Sequence, residues 1–167
     1  MVDKVDRHTR SRMMSGIRGK DTKPELAVRS FLHRQGFRFR LHKGDLPGKP
    51  DLFLRRYRLA IFVHGCFWHR HQGCFYTTNP ASRQQFWSEK FEANQRRDLL
   101  NREQLLKEGW RVLTIWECGL KHRADRLCEI TEFIKGPDKS GEWPETPPRV
   151  RSAQTESRAP KAPSHSD

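Results

Sequence analysis

Ile61-Phe62-Val63-His64-Gly65-Cys66-Phe67-Trp68-His69-Arg70-His71-Gln72-Gly73-Cys74 places three histidines, two cysteines and an adjacent Phe-Trp pair within fourteen residues, directly behind the apolar run that starts at Leu59. The run has the length and composition of a buried strand, and nitrogen and sulfur donors crowd its carboxyl end. A strand that delivers such a loop belongs inside a sheet, with the chemistry at its edge.

Outward from this stretch, Asp51 to Leu54 reads as the preceding strand, with Arg55 to Arg58 as a tight connection. Phe37-Arg38-Phe39-Arg40-Leu41 alternates apolar and basic residues like a half-buried strand. Thr22-Lys23-Pro24-Glu25 has capping-box spacing, and Leu26, Ala27, Phe31 and Leu32 follow at helical intervals, which predicts a helix from about Lys23 to Gln35 closed by Gly36. Glu25 is then a cap first and a candidate for the site second.

Downstream, Ser82 is placed to cap a long helix reaching Glu108, with Phe86, Trp87, Phe91, Leu105 and Leu106 inward. Asn94 and Asp98 continue that stripe, so the helix is expected to border a site. Trp110 to Trp116 reads as a buried strand with Glu117-Cys118-Gly119 at its end, and Ala124 to Lys135 as a last amphipathic helix whose apolar face takes Cys128. This order predicts an α/β sandwich with a central mixed β-sheet flanked by helices.

Lys and Arg number 33 against 20 Asp and Glu, a formal charge of +13. From Gly136 on, five basic residues balance five acidic ones and six of the ten prolines gather, so residues 136–167 are expected to be a disordered tail. The positive charge therefore sits on a basic arm, residues 1–20, and a folded domain, residues 21–135, and calls for a polyanionic partner. No run approaches the length of about 20 residues that crosses a bilayer, and the charged N-terminus lacks an export signal, which predicts a cytoplasmic, nucleoid-associated protein. In that compartment the cysteines are metal ligands or free thiols. Cys66, His71 and Cys74, spaced C-x4-H-x2-C, suit a structural Zn²⁺, with Cys118 or His69 as the fourth ligand.

Pro50-Asp51 ahead of an apolar hairpin resembles the first half of the PD-(D/E)xK nuclease signature, but His64 stands where its second acid and lysine would be. With Cys66 to His69, His71, Cys74, Phe86-Trp87, Asn94, Asp98 and Trp116-Glu117-Cys118, the chain resembles the very short patch repair endonuclease family of bacteria, from about Thr9 to Cys118. The resemblance implies a restriction-endonuclease-like fold that nicks DNA 5′ to the T of a T:G mismatch left by deaminated 5-methylcytosine. It implies that Asp51 and the Val63 backbone carbonyl bind a catalytic Mg²⁺, with Glu25 acting through water. His64 and His69 would serve the phosphate and the attacking water, His69 as the base oriented by Asp98. Phe67, Trp68 and Trp87 would be wedges between base pairs, with Met14, Lys90 and Asn94 at the mismatch. The implied partners are T:G duplex DNA, mismatch-repair proteins and a cytosine-5 methyltransferase system, the enzyme itself being a monomer. In this family Thr is usual where the chain has Val63, and the cysteine loop is one residue shorter, which asks Gly73 to absorb an insertion. A zinc-stabilised DNA-binding module without catalysis, or a restriction endonuclease on the same scaffold, are the competing readings.

Overall fold

The computed structural model describes residues 20–41 and 44–151. The expected basic arm, Met14 included, lies outside them apart from Lys20, as does the tail beyond Arg151. Ten elements follow one another: α1 (Lys23–Arg34), β1 (Arg40–Leu41), β2 (Leu52–Leu54), β3 (Leu59–His64), α2 (Cys66–His69), α3 (Gln84–Lys107), β4 (Arg111–Trp116), α4 (Glu117–His122), α5 (Cys128–Lys135) and β5 (Ser140–Trp143). The strands form one sheet in the order β1-β2-β3-β4-β5, antiparallel through β3 and parallel from β3 to β5. This is the mixed α/β architecture the sequence predicts.

Alternation along the strands divides the core in two. Leu52, Leu54, Leu59, Ile61, Leu113 and Ile115 face Val28, Phe31 and Leu32 of α1 and Ile130 and Ile134 of α5. Phe53, Ala60 and Val112 face Leu105 of α3, with Leu46 from the preceding turn. The helix α3 is the crossover that parallel pairing of β3 with β4 demands.

Several local readings are corrected. In α1 the buried face is Glu25, Val28, Phe31 and Leu32, whereas Leu26 is half exposed, because positions three and four apart share a face. The strand predicted over Phe37–Leu41 shortens to two residues, since Phe37 packs under the helix end. Ser82 does not cap α3; Arg83 precedes it with φ 53° and stacks its guanidinium on Phe86. Cys128 is exposed rather than in the core, at the first turn of α5.

The expected disordered tail is also corrected over its first part. Ser140–Trp143 adds β5 to the edge of β4, and Trp143 is buried against the α1 and α5 layer. A Cβ on Gly141 would stand 2.5 Å from the Phe133 ring, so only glycine lets this strand lie so close to α5. The chain then returns to the cysteine loop, where Phe75 N–H donates to Arg149 O at 2.9 Å and Arg151 N–H to Gly73 O at 3.1 Å.

Arg111 ties β4 to the end of α5 by donating to Asp138 O, Ile134 O and Phe133 O at 2.8, 2.9 and 2.7 Å. A cation here adds a donor to carbonyls at and just beyond the helix C-terminus and complements its dipole. Arg111→Met is expected to lower the unfolding free energy by about 1.5–3 kcal/mol, measured by urea denaturation.

Candidate active site and metal centre

In α2 four consecutive side chains leave in different directions, because each residue of a helix is rotated by about 100° from the last. Cys66 turns into a buried sulfur cluster, Phe67 and Trp68 turn towards α3, and His69 turns back over the end of β3. Arg70, at φ 57°, ends the turn.

His64 is the last residue of β3, and its ring stacks on that of His69 with centroids 3.7 Å apart and planes 8° from parallel. His69 Nδ1 lies 2.6 Å from Asp98 Oδ2 on α3. An ionised carboxylate only accepts, so Nδ1 carries the proton and Nε2 is the basic nitrogen. Burial pushes the His64 imidazole down to about 3, with His69 adding to the shift and Asp98 opposing it. His64 is therefore a neutral ring near pH 7, offering one donor and one acceptor.

Asp51, just before β2, accepts the Val63 N–H through Oδ2 at 2.7 Å. This fixes the carboxylate beside the last residues of β3. Asp51, Val63, His64, His69, Asp98 and Glu25 line a single open cleft of about 1170 Å³, whose walls also carry Lys49, Arg97 and Arg102. Glu25 accepts from Thr22 Oγ1 and Asp21 N–H, each at 2.9 Å, and from Arg29 Nη2 at 3.1 Å. It completes the capping box of α1, whose N-cap is Thr22, while bordering the cleft. A single well-placed carboxylate with carbonyl oxygen nearby is the donor set a hard, mostly hydrated cation such as Mg²⁺ accepts.

Cys66, His71, Cys74 and Cys118 are all buried, and their ligand atoms lie within 4.8 Å of one another. Bond lengths of about 2.3 Å to sulfur and 2.0 Å to nitrogen put donors about 3.5–3.8 Å apart around tetrahedral zinc. His71 Nδ1 is 3.7 Å from Cys66 Sγ and 3.3 Å from Cys118 Sγ, so the cluster can hold a zinc ion. The hydrogen bond between Cys66 and Cys118, and then burial, push the Cys66 thiol up, and burial does the same for Cys74. Binding a divalent cation would draw those protons off. Cys74 reaches the cluster past Gly73, which takes φ 69°. Of the two candidates for fourth ligand, Cys118 joins this group and His69 instead joins His64 and Asp98.

Phe67, Trp68, Trp87 and Phe91 form a cluster of edge-to-face, tilted and stacked rings with centroids 5.1–6.0 Å apart. Lys90 Nζ lies 5.4 Å from the Trp68 ring centre, and Asn94 Nδ2 donates to Trp68 O at 3.2 Å. The aromatic residues, Lys90 and Asn94 thus gather on one side of the His69 turn. Only Phe91 among the four rings is fully buried, and the others remain partly open to solvent.

Two carboxylates make hydrogen bonds that no sequence expectation assigned to them. Glu117 Oε1 accepts the Cys66 N–H at 2.9 Å, and Glu142 Oε2 accepts the Trp116 indole N–H, also at 2.9 Å. The signal for Glu117 was its place directly after β4. Glu142 lay within a segment whose composition resembled a tail.

Comparison with known proteins agrees with this arrangement. The model of the DNA mismatch endonuclease Vsr family matches residues 2–75. A type II nicking enzyme of Xanthomonas oryzae, V.XorIIP, is 50% identical over 72% of this chain and 88% of its own length. The DNA mismatch endonuclease Vsr of Escherichia coli is 45% identical, covering 81% of this chain and 86% of its own. A Neisseria meningitidis nicking enzyme, V.NmeAIP, is 42% identical over 81% and 98%. With a Cys3His cluster that could hold a metal ion beside a histidine-carboxylate cleft, and relatives of this identity along most of its length, the chain belongs to the Vsr family of DNA mismatch endonucleases.

Proposed function

We propose that the protein nicks one strand of duplex DNA on the 5′ side of the T in a T:G mismatch, by Mg²⁺-dependent phosphodiester hydrolysis, in very short patch repair. The coarser assignment, a DNA mismatch endonuclease, rests on family membership. The observation that carries the finer one is the convergence of Asp51, His64, His69 and Asp98 on one cleft beside the aromatic cluster.

Asp51, with the Val63 carbonyl, would hold Mg²⁺, which when bound neutralises charge developing on the phosphate. His69 Nε2 takes a proton from the attacking water while Asp98 holds the Nδ1–H and steadies the cation that forms. The water oxygen joins phosphorus as the bond to the leaving sugar oxygen breaks, and that oxygen takes a proton from solvent to leave as a hydroxyl. His64, neutral, donates its N–H to the phosphate. Glu25 orders water at the edge of the site. Lys49, Arg97 and Arg102 supply positive potential to the backbone. Phe67, Trp68 and Trp87 act as wedges that unstack the mismatched step, with Met14, Lys90 and Asn94 at the mismatch. Zn²⁺ on Cys66, His71, Cys74 and Cys118 is structural. The protein works as a monomer in the cytoplasm, alongside mismatch-repair proteins and a cytosine-5 methyltransferase. Among the described residues no helix is long and apolar enough to cross a membrane.

The test is a nicking assay on matched and T:G duplexes with Mg²⁺ and with EDTA. One nick in the T strand of the mismatched duplex, abolished by EDTA, is expected. Cleavage of both strands of matched DNA would point to a restriction enzyme, and binding without cleavage in every divalent metal to a passive module. In the same system Trp68→Ala is expected to weaken binding to the mismatched duplex by about 1–3 kcal/mol, read by fluorescence anisotropy at fixed salt.

A further inference from the structure

Trp116 is the last residue of β4, buried to 6% exposure, and it stands between the two metal-type clusters. One face of its indole stacks on His71 at 4.2 Å and 6° from parallel. His64, its register partner across the parallel pair, meets it at 5.4 Å and 68°. His64 in turn stacks on His69. The rotation of the indole about its own axis is fixed by its N–H, which donates to Glu142 Oε2 from β5 at 2.9 Å. Glu142 lines the active-site cleft, and its other oxygen is 3.8 Å from an Arg102 guanidinium, a solvent-exposed pair of little energetic weight.

We infer that Glu142 and Trp116 are positioning residues for the nicking reaction: Glu142 orients the indole, and the indole wedges His64, and through it His69, at the correct setting relative to the His71 side of the zinc cluster. This rests on the proposed function, but the geometry it predicts does not need DNA to be seen. What Glu142 supplies is an acceptor atom, not a charge. A glutamine carbonyl accepts the same N–H, whereas alanine leaves the indole unheld.

The experiment compares Glu142→Ala, Glu142→Gln, Trp116→Phe and the double variant Glu142→Ala/Trp116→Phe with the full-length zinc-loaded enzyme on a T:G duplex. In single-turnover reactions at saturating enzyme, Glu142→Ala and Trp116→Phe are expected to slow nicking about ten-fold and Glu142→Gln by no more than about two-fold, the range typical of groups that orient a site from behind. The double variant should be no slower than either single one, because both remove one hydrogen bond. Affinity for the duplex should change equally in Glu142→Ala and Glu142→Gln, since both lose the same charge. Zinc content, measured by atomic emission, should stay at one per chain. Without DNA, the imidazole NMR signals of His64 and His69 should move in Glu142→Ala and not in Glu142→Gln. Equal rates for the alanine and glutamine variants, or unmoved imidazole signals in Glu142→Ala, overturn the inference. A wild-type enzyme that nicks no duplex overturns the functional reading instead, and the imidazole signals still decide this one.

Discussion

Asp51→Asn is expected to lower the nicking rate on a T:G duplex by about 10³-fold or more, the loss of several kcal/mol of electrostatic stabilisation at a charged phosphate. Asparagine is the decisive substitution because the carboxylate has a second task. Its Oδ2 accepts the Val63 N–H at 2.7 Å and so helps to hold the end of β3, from which His64 projects. Asp51→Ala removes both the charge and that hydrogen bond, a structural loss of about 0.5–1.5 kcal/mol. In Asp51→Asn the side-chain carbonyl still accepts the N–H, so only the cation's ligand is weakened. The two variants should therefore be equally inactive while differing in thermal stability, and both should retain their zinc. Single-turnover nicking, calorimetry and zinc analysis report these three properties separately. An Asp51→Asn enzyme that keeps more than a tenth of the wild-type rate would remove Asp51 from the chemistry and leave it a backbone clamp.

The elements that deliver the site were readable because they obey local rules. Leu59–His64 is an apolar run that ends in chemistry, and β3 has those bounds. The stripe of α3 turns polar at Asn94 and Asp98, and those are the residues that reach Trp68 and His69. The spacing of Cys66, His71 and Cys74 is set by one loop, so short-range sequence contains it. What escaped reading depends on long-range pairing. Ser140–Trp143 has neither length nor alternation to mark a strand; it is ordered by the open edge of β4 and by burial of Trp143. Choosing between Cys118 and His69 as fourth ligand likewise required knowing that β4 runs parallel to β3 and sets Trp116 beside His64, which carries Cys118 towards the sulfur cluster. Position 69 could not be resolved locally, since one helical turn can present it to either cluster.

That helical turn makes the Cys3His cluster, with the zinc proposed for it, the second large lever. Cys66→Ala or Cys118→Ala is expected to cut zinc affinity by well over about a hundred-fold, beyond the loss typical of residues that merely support a ligand. The unfolding free energy should fall by about 4 kcal/mol or more, as losses of a structural metal do. Nicking should also fall, although none of Cys66, His71, Cys74 and Cys118 lines the cleft. The reason is the geometry of α2. Cys66 fixes the first residue of a four-residue turn whose last residue is His69, and so short a helix has little stability of its own. When the Cys66 anchor is lost, Phe67 and Trp68 lose their packing against α3 and His69 its register with Asp98. The Cys118 variant should behave in the same way, because Cys118 closes the cluster from α4. Zinc stoichiometry, thermal unfolding and single-turnover nicking should fall together in these variants, whereas in Asp51→Asn only nicking falls. A Cys118→Ala protein that keeps one zinc per chain would show that three ligands suffice and that Cys118 is a packed core thiol.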